Sequence, residues 1–245
     1  MTDVLTLNTN MIDIRPFASL GAANHGWLDA HHHFSFGGYR DPARMGWGNI
    51  RVWNDDVIAP NTGFPPHPHS DMEIITYVRT GAITHEDSLG NKGRTGAGDV
   101  QVMSAGSGVR HAEYNVESEA TTLFQIWIEP TSRGGEPSWG AKPFPKGDRS
   151  GRWSVLASGF GDVSEEDRDA LPIRSDARVM GATLSAGETL THEVGAGRHA
   201  YLVPATGKIE IDGTSANARD GVALTAGNYT IRAIEDAELV LVDAA

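Results

Sequence analysis

The sequence predicts an all-β protein with little helix, of the β-sandwich, jelly-roll or barrel kind, and three observations lead there. Short runs of apolar and polar alternation recur along the chain, as half-buried strands require. The 29 glycines and 12 prolines are spread between those runs rather than concentrated, so they act as turn punctuation. Helix signals, by contrast, are scarce.

The strand-like runs, in order, are NIRVW (49–53), MEIITYV (72–78), DVQVM (99–103), TLFQIWIEP (122–130), RVMGATL (178–184), HAYLV (199–203), KIEID (208–212), NYTIRAI (228–234) and ELVLVD (238–243). In the clearest, Phe124, Ile126 and Ile128 share one face while Leu123, Gln125 and Trp127 share the other, so both faces are substantially apolar and the strand belongs inside a layered fold. Gly-Asn, Asp-Gly and Ala-Gly turn signals separate the runs. The best helix signal is VSEEDRDAL, with Ser164 as N-cap and Asp167 three residues on, and it predicts one or two turns. The stretch from Pro130 to Arg152 is rich in proline, glycine and charge and holds no strand-like run, which places a domain boundary there: 1–135 and 136–245. All six tryptophans lie at or before Trp153, and after Phe160 the remaining aromatics are Tyr201 and Tyr229, so the halves have different jobs. Two copies of one β architecture, the second degenerate, would explain their shared texture, although the sequence repeat is weak.

Composition narrows the function. Twenty Lys and Arg stand against 32 Asp and Glu, a formal charge of -12 that repels polyphosphates and argues against direct nucleic-acid binding. The absence of cysteine removes disulfides, thiolate ligands and thiol catalysis, so a metal would sit on nitrogen and oxygen. The opening MTDVLTLNTNMIDIRPF lacks a cationic start followed by an apolar core, and no window approaches the roughly 20 apolar residues of a membrane span. The expectation is a cytoplasmic protein without a membrane partner.

Two segments carry the chemistry: GFPPHPHSDMEIITYVRTG (63–81) and GDVQVMSAGSGVRHAEYN (98–115). Each contains a pair of ligand-type residues separated by one, His67 with His69 and His111 with Glu113. In an extended strand such pairs point to one face about 7 Å apart, so two strands inside a barrel could aim three imidazoles and one carboxylate at a common point. That donor set suits iron, nickel, copper, manganese or zinc better than calcium or magnesium. Four protein ligands on a first-row ion also leave room for water, substrate or dioxygen. A lone H-x-H is commonly incidental; the second pair some forty residues later, flanked by glycines and an apolar strand, is what gives the first its weight.

These segments resemble the cupin superfamily, whose first motif is matched by Gly63, His67, His69, Glu73 and Gly81 and whose second is matched by Gly98, Gly108, His111 and Asn115. HPHSDMEIITYV, THEDSLGNKG, MSAGSGVRHAEYN and FQIWIEP resemble, within it, the pirin family, especially bacterial members with quercetin 2,3-dioxygenase activity. The likeness is strong from about Gly26 to Pro130 and weaker beyond. It implies a bicupin, two tandem double-stranded β-helix (jelly-roll) domains, with one divalent transition metal, iron first, held in the N-terminal domain by His67, His69, His111 and Glu113. It implies that Glu73 is not a ligand, and that the C-terminal domain is a degenerate cupin without metal. Glu113 would also take the hydroxyl proton of a bound flavonol, whose reaction with dioxygen would open the C2–C3 bond and release carbon monoxide. The protein would act as a monomer on a small aromatic substrate.

Two rival functions remain at this stage: a non-catalytic, redox-responsive metal protein with a protein partner, as eukaryotic pirins are described, and a cupin acting on sugar phosphates. The latter would want cations beside the metal, and only Arg79, Lys92, Arg94 and Arg110 lie near the motifs. Of the other histidines, alternation should turn His32 away from His31 and His33, while His85, in HEDS, reads as a solvated residue at a hairpin end. His192 and His199 lack paired partners. Phe64, Met72, Met103, Trp53 and Trp127 are the apolar candidates for a substrate pocket.

Overall fold

The computed structural model describes residues 11–161 and 164–245. The strands in chain order are β1 (Ile12–Arg15), β2 (Gly21–Asn24), β3 (Leu28–His32), β4 (Ile50–Ile58), β5 (Thr62–His69), β6 (Glu73–Thr80), β7 (Ala82–Asp87), β8 (Lys92–Gly96), β9 (Val100–Ser104), β10 (Val109–Asn115) and β11 (Thr121–Ile128). They continue as β12 (Ser138–Lys142), β13 (Ser154–Ser158), β14 (Leu171–Pro172), β15 (Ala177–Leu184), β16 (Thr189–Val194), β17 (His199–Thr206), β18 (Ile209–Ile211), β19 (Thr214–Ala216), β20 (Gly221–Leu224), β21 (Gly227–Ala233) and β22 (Ala237–Ala244). Helix among the described residues is limited to two 3-10 turns, Phe17–Ser19 and Lys146–Arg149. None is long and apolar enough to cross a membrane.

Each half is a pair of sheets. A seven-stranded sheet, β12-β9-β6-β11-β4-β3-β2, faces a four-stranded one, β5-β10-β7-β8; in the second half β1-β20-β17-β22-β15-β13-β14 faces β16-β21-β18-β19. The two large sheets meet back to back, and side-chain alternation decides what each face does. Trp53, Ile75, Tyr77, Phe124, Ile126 and Ile128 point toward the second half and bury against Val179, Tyr201, Val203, Val240 and Val242. The intervening residues on the same strands, such as Asn54, Thr76 and Gln125, point the other way, into the first half. In the second half the equivalent interior is filled by Met180, Ala182, Leu184, Leu202, Ile209, Ile231, Leu239 and Leu241.

The expected boundary at 135/136 falls in the connection between β11 and β12. β12 nevertheless hydrogen-bonds to β9 in the first half, and β1 pairs with β20 in the second. Charged groups join the halves as well. Arg149 donates to Tyr77 Oη at 2.7 Å and to Glu238 at 3.2 Å, Lys146 donates to Glu238 at 2.6 Å, and the fully buried Asp55 takes both Arg79 and Arg219.

The helix expected at VSEEDRDAL is absent among the described residues: from Ser164 the chain makes turns, and Val163 lies outside the described residues, as does most of the opening segment MTDVLTLNTNMIDIRPF, in which no leader is expected. The reason is tertiary. Asp167, expected to sit in a first helical turn, is buried and held by the guanidinium of Arg178 on β15 at 2.8–3.1 Å, a forked contact that a neutral local turn cannot match.

Candidate metal centre

The two ligand segments become neighbouring antiparallel strands, β5 and β10, with His111 directly opposite His67. Prolines 65, 66 and 68 are tolerated because β5 is an edge strand, bonded to β10 alone. The register slips between His111 and Glu113, which lies opposite Phe64, so the Pro65-Pro66 pair sits in a bulge that bends the edge around the site. Gly63 is required by proximity: a Cβ there would lie 2.2 Å from the Glu113 carbonyl oxygen and 2.5 Å from the Tyr114 Cα. Gly63→Ala should therefore push β10 outward and destabilise the protein by about 1–3 kcal/mol, with a lower metal content, measured by urea melts and elemental analysis. Asn115, the last motif residue, has a structural task. Its amide donates to the carbonyls of Ile58 (3.0 Å) and Glu119 (2.8 Å), closing the end of the strand.

His67, His69 and His111 offer ring nitrogens within 4.8 Å of one another, and His85, His111 and Glu113 form a second such group that shares His111. Hydrogen bonds fix which nitrogen His67 and His111 present. His67 Nδ1–H donates to the Pro65 carbonyl at 2.8 Å, leaving Nε2 free to face His111 Nε2 at 3.0 Å. His111 Nδ1 faces His85 Nδ1 at 3.4 Å, and His85 Nε2 lies 3.1 Å from Asp87 Oδ2. The Asp87–His85–His111 chain is coherent if His85 donates to Asp87 and receives from His111, which again leaves His111 Nε2 as a bare lone pair. Two lone pairs 3.0 Å apart repel unless a proton or cation lies between them. That separation is also about what two nitrogens show when each is about 2.1 Å from one ion at right angles, so the residues fit a metal.

Burial, reinforced by the neighbouring His67 charge, lowers the pKa of His69 to about 4 and of His111 to about 2. Both rings should thus stay neutral in metal-free protein from pH 8 down to about 5, where ordinary histidine (pKa about 6.5) is protonated. A 15N spectrum of histidine-labelled protein checks this; imidazolium signals from either ring at pH 6 would contradict it.

Glu113 is fully buried, and burial raises its pKa. Its Oε1 receives Gln101 Nε2 at 2.6 Å and its Oε2 receives Gln125 Nε2 at 2.8 Å, so the carboxylate plane is fixed from the sheet beneath. Asp87 is shifted downward: burial alone would raise it, but donors from Asn91, His85 and Leu89 outweigh that.

Of the remaining candidates, Glu73 lies on the face of β6 opposite Ile74 and Thr76 and accepts Ser104 Oγ at 2.6 Å. His85 is a correction: it is fully buried, within β7, directly opposite Glu113. The hairpin turns two residues later than HEDS suggested, where Asp87 Oδ1 takes the backbone N–H groups of Leu89 and Asn91 in a side-chain turn. His32 does turn away from His33, toward the interior; His33 packs between the halves with Nδ1 2.9 Å from Tyr201 Oη. His192 lies 3.1 Å from Asp243, and His199 packs edge-on against Trp47.

A cavity of about 390 Å³ opens on the ligand rings. Phe36, Phe64, Ile74 and Trp127 form its apolar walls, and His32, Asn54, Asp56 and Gln125 its polar floor. Of the expected pocket residues, Phe64 and Trp127 are there, whereas Trp53 is in the core between the halves and Met72 and Met103 pack with Ile74 and Trp127 without lining the cavity themselves. No Arg or Lys lines it among the described residues. Arg79 binds Asp55 on the other face, Lys92 binds Glu86, Arg94 binds Glu117 and Arg110 donates to the Pro66 carbonyl. Asn54, Asp56 and Gln125 were not expected in the pocket, although NDD at 54–56 inside an apolar strand was an available signal.

Comparison with known proteins agrees with this geometry. Residues 14–128 match the family model described as Pirin, and residues 163–244 match the model of the quercetinase C-terminal cupin domain. A pirin-like protein of Caulobacter vibrioides is 70% identical over 236 residues, covering 96% of this chain and all of that protein. Quercetin 2,3-dioxygenase of Escherichia coli K12 is 40% identical, with 95% of this chain and 98% of that protein covered. The crystal structure of the bacterial pirin YhhW from Escherichia coli in complex with nickel(II) superposes with a TM-score of 0.88 at 39% identity, covering 96% and 99% of the two chains. Sequence, fold and the clustered imidazoles agree that this chain is a member of the pirin family, with a two-domain cupin fold.

Proposed function

We propose that the protein is a metal-dependent dioxygenase that cleaves a flavonol-like aromatic substrate, in the manner of quercetin 2,3-dioxygenase. The observation that carries this reading is the opening of three convergent imidazoles and a buried carboxylate into an aromatic-walled cavity of about 390 Å³, a size that suits a small planar molecule. The name of the Escherichia coli relative supports the same reaction class. His67, His69, His111 and Glu113 would hold one divalent ion; iron is our first assignment, and nickel the alternative because it occupies the Escherichia coli pirin. Such an ion would act as a Lewis acid, making a bound hydroxyl more acidic.

The chain's own residues do the rest. Trp127, Phe36 and Phe64 bound the space in which an aromatic ring lies and exclude water from it. Glu113, made more basic by burial, is placed to accept a hydroxyl proton, while Gln101 and Gln125 hold its oxygens in a single orientation. Burial keeps His69 and His111 as neutral donors. Within this reading the protein works in the cytoplasm, with 1–135 as the catalytic domain and 136–245 as its metal-free counterpart.

The test is elemental analysis of protein purified without added metal, coupled to oxygen uptake and carbon monoxide release with flavonols and catechols. Substrate-dependent uptake that disappears in Glu113→Gln is the expected result. Full metal occupancy with no uptake on any substrate would overturn the enzyme reading in favour of a metal-binding regulatory protein.

A further inference from the structure

Gln125, Asn54 and His32 of the cavity floor belong to a row of polar side chains in register across five strands. Gln101 on β9 lies opposite Thr76 on β6, Thr76 opposite Gln125 on β11, Gln125 opposite Asn54 on β4, and Asn54 opposite His32 on β3. The half of this row beneath Glu113 is satisfied internally: Gln101 and Gln125 donate to Glu113, and Thr76 donates to Gln125 Oε1 at 2.8 Å. The other half is different. Asn54 Oδ1 meets His32 Nδ1 at 2.8 Å, and two residues along β4, on the same face, Asp56 is only 2% exposed while its Oδ1 has no hydrogen-bond partner among the described residues. A buried carboxyl oxygen without a partner is unfavourable, and in an apolar barrel a leucine would fill that place more favourably. Asp55 and Trp53, on the other face of β4, carry the contacts between the halves, which do not use Asp56. What Asp56 does face is the cavity, beside the space enclosed by Trp127 and Phe36.

We infer that Asp56, flanked by Asn54, is a specificity-determining residue that hydrogen-bonds a phenolic hydroxyl of the substrate remote from the metal-binding oxygens, so that the natural substrates are polyhydroxylated aromatics. The inference rests on the proposed function for the presence of an aromatic substrate. It does not depend on the charge of Asp56, because a carboxyl oxygen accepts an O–H in either protonation state. Burial raises the Asp56 pKa well above the ordinary carboxylate value, which additionally gives it a proton to donate.

The test compares two probes by titration calorimetry on nickel-reconstituted protein: quercetin, and 3-hydroxyflavone, which keeps the 3-hydroxy-4-carbonyl pair and lacks the other hydroxyls. Wild type should favour quercetin by about tenfold or more, the effect of one hydrogen bond to a buried acid. Asp56→Leu and Asp56→Ala should bring the ratio to near one by weakening quercetin alone, with metal content unchanged. Asp56→Leu should melt no lower than wild type. An unchanged ratio in folded variants, no preference in wild type, or failure of both variants to fold would each overturn the role of Asp56 and leave the dioxygenase reading standing. If wild type bound neither probe, the aromatic-substrate reading would fail along with it.

Discussion

Replacing His111 by leucine is expected to abolish stable metal binding, with a loss of affinity well beyond about 100-fold and stoichiometry at background by elemental analysis. His111 belongs to both ligand groups, and its Nε2 and Nδ1 face His67 and His85 on opposite sides. No neighbouring ring can replace it without a shift of β10. The fold should survive, because burial already holds the ring neutral, with a pKa of about 2, and an apolar side chain removes a desolvated group rather than a supporting one. His85→Leu provides the contrast. His85 lies behind His111 and beside Glu113, so its cost should be the 10–100-fold typical of an outer partner. Wild-type metal content in His111→Leu would remove this centre from consideration.

The second large effect should come from Asp55, far from any ligand. It is fully buried between Arg79 and Arg219, and both cations lose their partner if it goes. Asp55→Ala should destabilise the protein by about 3–5 kcal/mol in urea melts, because the part-buried Arg79 would be left uncompensated. Adding Arg79→Met should recover much of that loss. A double variant no more stable than Asp55→Ala alone would show that the pair's worth lies elsewhere. Metal content should stay at the wild-type level in both variants, since Asp55 and Asp56 point to opposite faces of β4.

Much of this was legible in the sequence because it depends on period-two alternation. TLFQIWIEP announced a strand with two buried faces, and β11 is central in its sheet with one face toward the cavity and the other toward the second half. The H-x-H and H-x-E pairs announced themselves in the same way, since i and i+2 must share a face. What escaped depends on pairing between distant strands. His85 looked solvated because the turn following it, built on the Asp87 side chain and Gly90, comes two residues later than expected, a shift that separates a rim position from a buried one. Asp167 looked like a helix start because its partner, Arg178, lies on another strand. The polar row that runs through the cavity floor was hidden for the same reason: Gln101, Thr76, Gln125, Asn54 and His32 are unremarkable singly and become a row only when five strands align.

The exchange of β1 and β12 between the large sheets bears on how the molecule is assembled. As the ribosome delivers the chain, the first jelly roll can close its edge once the segment through Lys142 has emerged. β1 must wait for β20, with Met11 contacting Thr225 across a separation of 214 residues. Contacts so remote in sequence form late, because the entropy of closing a long loop must be met before the pairing rewards it. β1 therefore works as a final latch, and deleting it should slow refolding of the second jelly roll far less than it weakens the finished one.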